Sequence, residues 1–208
     1  MDQLRKDFST VTIALIVVAL AINIVVGTII FQLKIPFVYL DSIGTILVGL
    51  LAGPWAGLVT GILSNLLWGL LGNPGYVPYA PVAGVIGLMA GIFGSMGWFK
   101  SWWKWLLAGL ITGLVAALLS APITAYVYGG VTGAGTDLIV GMFRATGSSI
   151  MEAALGQGLI TDLIDKTFSF FVVWLIVKAL PTTLLTRFSR SQNVLEMGDV
   201  DLENILDQ

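Results

Sequence analysis

Residues 37–57 read FVYLDSIGTILVGLLAGPWAG, and the reading of this stretch decides the fold. Asp41 stands directly before a run of apolar and small residues, and the run closes at Gly53–Pro54. A glycine that ends one helix and a proline that starts the next mark a tight turn between two helices. A carboxylate at the mouth of an oily helix is costly unless it faces a protein interior or accepts hydrogen bonds from the free N–H groups there. The stretch predicts a short span over residues 41–53, an immediate reversal, and a cap or a site at Asp41, the two being compatible.

The composition around it settles the medium. Of 208 residues, 57% are hydrophobic and 11% are charged, and the mean hydropathy is +0.94. Soluble domains carry roughly 25% charged residues, so this chain cannot clothe a water-facing surface and is predicted to be an all-α integral membrane protein. A net charge of −2 and the lack of a basic cluster argue against a nucleic-acid partner. With no cysteine and no histidine, disulfides, Cys/His metal sites and His-dependent nucleophilic catalysis are excluded. No G-x-x-x-x-G-K-[ST] occurs, so the chain has no phosphate-cradling loop of that kind. Neither a cofactor nor a metal nor an enzymatic activity is expected.

A spanning helix takes about 20 residues. Outward from residues 41–53, the apolar runs are 11–31 (interrupted by Asn23), 54–72, 81–99, 105–130 (with Pro122 as a kink) and 159–180, closed by Pro181. The first run is too long for a signal-peptide core and reads as a retained span. The expectation is a six-transmembrane-helix bundle over residues 1–190, followed by an acidic, flexible cytoplasmic tail over 191–208. Residues 129–158 are less oily and read as a loop plus a partly buried helix around 137–155 carrying Arg144 and Glu152; the pattern leaves open whether this helix spans, re-enters or lies on the surface.

Sidedness follows from Lys and Arg. Six spans place Arg5, Lys6, Lys100, Lys104, Lys178, Arg187 and Arg190 on one side and Lys34, Arg144 and Lys166 on the other. Both termini are therefore expected in the cytoplasm. Trp55, Trp98, Trp102, Trp103 and Trp105 gather at the same inner interface, where amphipathic rings settle.

The remaining polarity collects at the outer ends. Candidate substrate-binding residues are Asp41, Thr45, Asn65, Trp68, Asn73, Tyr76, Tyr79, Arg144, Glu152, Asp162 and Lys166. Each has a plainer reading beside the functional one. Asp41 can cap the second span. Asn65, three residues before Trp68 and on the same helix face, can bond a neighbouring helix. The segment GNPGYVPYAP (72–81) is a preorganised aromatic lid or an interfacial turn. Asp162 and Lys166, spaced i and i+4, and Arg144 and Glu152, eight residues apart, can neutralise one another. Recurrent small residues such as Gly57/Gly61, Gly84/Gly87 and Gly109/Gly113 signal close helix packing.

The block IPFVYLDSIGTILVGLLAGPWAGLVTGILSNLLWGL (35–70), together with the size and the six spans, resembles the substrate-binding S components of energy-coupling factor (ECF) transporters, and the resemblance covers residues 10–190. The block is similar to that of the branch with riboflavin-, pyridoxine- and hydroxymethylpyrimidine-type members. The resemblance implies a prokaryotic cell-membrane protein that binds a vitamin-like small molecule near the outer surface, under loops joining spans one–two, three–four and five–six. Here these are residues 32–40, 72–81 and 129–158. It also implies a membrane scaffold subunit and two cytoplasmic ATPases as partners, and a toppling motion that releases the ligand inside. The family's A-x-x-x-A docking pattern is not formed by Ala14, Ala19 and Ala21, so Ala14, Ala21 and Gly27 stand as the candidate scaffold-docking positions.

A polar, aromatic cup above a dry inner bundle fits capture of a neutral or zwitterionic ring compound. The alternative is a membrane-embedded ligand-sensing module without transport, for which the acidic tail is a poor output domain. A channel or permease would need polar residues through the whole depth, and the inner half lacks them.

Overall fold

The chain turns sharply at Gly53, whose φ of +114° suits glycine. A side chain there would also collide with the Asp7 carboxylate. On either side of it lie α2 (Ile43–Ala52) and α3 (Pro54–Leu70), the latter with its proline in the first turn. The reversal expected at Gly53–Pro54 is thus present. The computed structural model describes residues 7–195, and among them the chain is helical, with no strand.

α1 (Thr10–Gln32) opens on Ser9, whose hydroxyl accepts the Thr12 N–H. Its buried residues are Thr12, Ile16, Ala19, Asn23 and Gly27, one stripe at helical spacing. The other faces are apolar as well, with Ile13, Val17, Val18, Val25 and Ile29 exposed. A helix oily all round has lipid on its outer side. α1, the segment Pro74–Ser95 and the segment Trp102–Val127 are each long and apolar enough to cross a membrane.

Every residue of α2 is buried. At ten residues it rises about 15 Å, half of a bilayer's hydrocarbon thickness. Asp41 does not cap this helix: the N-cap is Ser42, with no side-chain capping bond. The free N–H of Gly44 goes instead to Asn23 Oδ1 on α1, at 2.7 Å. The Asn23 amide also donates to Thr45 Oγ1 at 2.8 Å and Ser64 Oγ at 3.3 Å. One amide on α1 therefore ties α1, α2 and α3 together. Lipid gives helices no hydrophobic reason to associate, so such bonds and close packing hold the bundle.

Close packing comes from glycine. α3 crosses α4 (Ala80–Ser95) where a side chain at Gly57 would strike the Gly87 carbonyl, and one at Gly87 the Gly57 carbonyl. α5 (Trp102–Pro122) packs on α7 (Ile150–Ala179) through Gly109 and Gly113, which lie against Thr167 and Leu163. The core between them is built on α2, with Ile46, Leu50 and Leu51 against Phe170 and Val173 of α7.

Pro122 ends the regular part of α5, and the chain continues as a π turn over Ile123–Val127, because proline has no N–H to give the preceding turn. The helix expected over 137–155 is two helices. α6 (Asp137–Ala145) stops before Gly147, at φ +92°, and α7 starts afresh at Ile150 on a capping box of Ser149 and Glu152. The last long helix thus begins nine residues earlier than the expected 159. Arg144 and Glu152 sit on different helices.

The described ends meet at one end of the bundle. Arg190 donates to Asp7 Oδ1 at 3.0 Å, its N–H bonds the Leu51 carbonyl, and Asn193 donates to the Leu50 carbonyl at 2.9 Å. A short helix α8 (Thr182–Leu185) leads to this closure. Residues 191–195 are thus packed on the bundle, with Leu195 buried, and the rest of the expected tail lies outside the described residues. At the same end Trp98 stacks on Phe93 and Trp105 is buried, while Trp55, Trp102 and Trp103 are exposed.

Candidate functional site

At the opposite end, a cavity of about 100 Å³ lies under three connections: 33–42, 71–79 and 128–136. Its floor is apolar, made by Val82, Ala83 and Ile86 of α4 and Ala116 of α5. Its upper wall carries Phe31, Tyr39, Tyr76 and Tyr79, and its polar lining includes Asp41, Asn65, Ser120, Asp162 and Lys166.

The first connection is fixed from α7. Asp165, fully buried, accepts the backbone N–H groups of Tyr39 and Leu40 through Oδ1, both at 2.8 Å. Its other oxygen pairs with Lys166 Nζ at 2.6 Å. Lys166 reaches on to Ser42 Oγ at 3.0 Å and Asp41 Oδ1 at 3.3 Å, and the Ser42 hydroxyl donates to Asp41 at 2.8 Å. Tyr39 donates its hydroxyl to Thr136 Oγ1 at 3.2 Å and accepts from Gln157 at 3.0 Å. Burial pushes the Tyr39 phenol well above its ordinary pKa, and the nearby Asp162 charge adds to this, so it stays a protonated donor.

The second connection is a 3₁₀ helix, Pro74–Tyr79. Tyr76 stacks on Trp68 with centroids 3.7 Å apart, and Phe31 meets Tyr76 edge-on. The third is tied to both others: Tyr128 Oη donates to the Gly75 carbonyl at 2.7 Å, Tyr79 stacks on Tyr128, and Lys34 Nζ donates to the Gly133 carbonyl. Asp137 organises this turn by accepting the Thr132 and Gly133 N–H groups.

Of the residues expected at the site, Asp41, Asn65, Asn73, Tyr76, Tyr79, Asp162 and Lys166 line the cavity together. Thr45 is buried one layer away, accepting from Asn23, and Trp68 stands behind Tyr76 as its stacking partner. Arg144 and Glu152 are exposed at the α6–α7 break; Arg144 donates to the Ser148 carbonyl and Glu152 completes the helix cap. Among the docking positions, Ala14 and Ala21 are exposed, whereas Gly27 is buried against Trp68 and Asp41.

Lys166 takes Asp165 and Asp41, not Asp162, as ion-pair partners, which corrects the pairing suggested by i, i+4 spacing. Asp162 instead accepts from Ser120 Oγ at 3.2 Å. Sequence reasoning passed over Tyr39, Asp165, Ser42 and Ser120. Asp165 carried a usable signal, since it lies three residues after Asp162 and so near the same helix face. Ser120 is a small hydroxyl in an oily helix and carried none, and Ser42 stood out only as the neighbour of Asp41.

With this geometry in place, the comparisons are specific. The family model of the ECF transporter substrate-specific component matches residues 11–184, most of the chain. No curated protein matches, and no solved structure matches.

Proposed function

The chain belongs to the family of ECF transporter substrate-specific components, and from that premise we propose that it captures a small vitamin-like ring compound at the outer face of a prokaryotic cell membrane and delivers it inward. It does so as a subunit without enzymatic activity of its own. Two cytoplasmic ATPases hydrolyse ATP and a membrane scaffold subunit transmits the resulting conformational change; that this sequence has no Walker-type loop is consistent with an energy source outside it. In this reading α1 to α5 and α7 are the six traverses, and the excess of Lys and Arg on the side of Asp7 and Arg190 supports a cytoplasmic location for that end.

The observation that carries the reading is the cavity itself. It is polar and aromatic above, and its floor of Val82, Ala83, Ile86 and Ala116 gives way to the core of Ile46, Leu50 and Phe170. Among the described residues that core, with Leu51 and Val173, is a packed apolar layer, which stands in the way of a bound molecule along the bundle axis. Release to the other side needs the body to reorient, which fits a subunit that is moved by partners. The exposed apolar face of α1 around Ala14 and Ala21 is the surface offered to the scaffold.

The test is ligand release. The full chain, purified in mild detergent, is denatured and the freed small molecules are identified by mass spectrometry; the same membranes are assayed for copurifying ATPase subunits. A stoichiometric ring compound, depleted in Asn65→Ala or Asp162→Ala, is expected. No released compound, no thermal shift across a vitamin panel and no copurifying ATPase would together reject uptake.

A further inference from the structure

Lys166 has no donor left for a ligand. An ammonium carries three N–H groups, and three acceptors meet them: Asp165 Oδ2, Ser42 Oγ and Asp41 Oδ1. Asp165 is equally occupied, with its second oxygen holding the backbone of Tyr39 and Leu40. Asp162 differs. It is 5% exposed, its Oδ2 accepts from Ser120, and its Oδ1 receives no hydrogen bond among the described residues. Asn65, also 5% exposed, lines the same cavity with a side-chain amide that has no partner among the described residues. Both groups line the cavity and keep their hydrogen-bonding capacity for whatever enters it. Ligand atoms belong there.

The charge around the cavity has a sign. Asp41, Asp162 and Asp165 set three carboxylates against the single ammonium of Lys166. At the rim, Lys34 is bound to Gly133 and Asp137 to Thr132 and Gly133, and these two charges offset each other. Among the residues lining the cavity Lys166 is the one cation and its donors are taken, so an anion inside would meet a surplus of negative charge; Lys34 stands at the rim, outside the lining. A cation would find one unpaired carboxylate in a lining that also carries the aromatic rings of Tyr76 and Tyr79, whereas Lys34 and Lys166 already stand over Phe31 and Tyr39. Roughly 10–15 Å³ of such space holds one water, so a cavity of about 100 Å³ suits a substituted single ring.

We propose that the cavity takes a planar monocation with an N–H fork, an amidinium or a protonated amino-substituted nitrogen heteroaromatic ring, with the fork on Asp162 and a further polar edge on Asn65. This rests on the capture reading and narrows it, from a neutral or zwitterionic ring to a cation; the reason is Asp165, which consumes the ammonium that would have balanced Asp162.

Three probes of one shape separate the charges: benzamidine, benzamide and benzoate. Their binding to the full chain in detergent is measured by titration calorimetry at neutral pH. Benzamidine should bind about tenfold or more tighter than benzamide, because a charge-assisted fork on a carboxylate is roughly twice as strong as neutral bonds, and benzoate should bind weakest. Asp162→Asn should bring benzamidine and benzamide within about twofold of each other. Equal or tighter binding of benzamide or benzoate by the unmodified chain overturns the cation assignment, as does absence of binding by all three at millimolar concentration. The unmodified chain decides this alone, so a poorly folding variant leaves it falsifiable. Ligand release keeps the two levels apart. A neutral or anionic native compound overturns the cation assignment and leaves capture standing, whereas no compound at all removes both.

Discussion

The Asp165 carboxylate accepts the backbone N–H of Leu40 at 2.8 Å, and Leu40 holds a φ of +52°. A leucine in the left-handed region costs about 1–2 kcal/mol, so this turn exists because α7 holds it. The same carboxylate neutralises Lys166 at 2.6 Å. One side chain thus fixes a loop over the cavity and a charge inside it. Asp165→Ala should lower stability by about 3 kcal/mol, since it removes the shorter of the two ion pairs of Lys166, leaving Asp41, and takes the acceptor from two backbone N–H groups, and it should expose residues 33–42 to proteolysis. Asp165→Asn, which keeps an acceptor for the two N–H groups, should protect the loop better than alanine does. Thermal unfolding in detergent with limited proteolysis tests this; an alanine variant as stable and as protected as the parent would contradict it.

Asn23 binds three partners on two other helices, Thr45, Ser64 and Gly44. Interhelical bonds in bilayers average about 0.6 kcal/mol each, so Asn23→Leu should cost about 2 kcal/mol despite its greater hydropathy. A variant that melts at or above the parent's temperature would show that the amide is not what joins α1 to α2.

Tyr39 gives a pH signature. Its phenol is held protonated in the fold, so between the unfolded pKa near 10 and the higher folded one the folded state binds more protons than the unfolded state. Its contribution is complete below about pH 10 and is lost as pH rises above that. Tyr39→Phe should therefore unfold more readily at neutral pH, having lost its bonds to Thr136 and Gln157, yet show a shallower decline above about pH 10. Melting temperatures from pH 8 to 11 read both; parallel curves for the two proteins would refute the assignment.

At the other end, Arg190 faces a fully buried Asp7, and its backbone N–H is bonded to Leu51. Arg190→Ala should cost about 3–5 kcal/mol by leaving the carboxylate unpaired, and Asp7→Asn distinctly less. Equal effects of the two substitutions in thermal melts would mean that the ion pair contributes little there.

Much was legible in the chain itself. The scarcity of charge dictates lipid as the solvent, the runs of apolar residues dictate helices, and Gly53–Pro54 dictates the reversal between α2 and α3, because these depend on composition and neighbouring backbone alone. Asp41, Asn65, Tyr76 and Lys166 stand out for the same reason: polarity in an oily sequence is conspicuous wherever it folds. What tertiary structure decided was pairing. Lys166 chooses Asp165 and Asp41 over Asp162, Asn23 replaces Asp41 as the cap of α2, and Arg144 parts from Glu152 at Gly147. These outcomes depend on distances in space, between residues as far as 125 positions apart for Asp41 and Lys166. Hydrogen bonds and ion pairs act over a few ångströms in space, and helical spacing reports only the neighbours that one helix brings together.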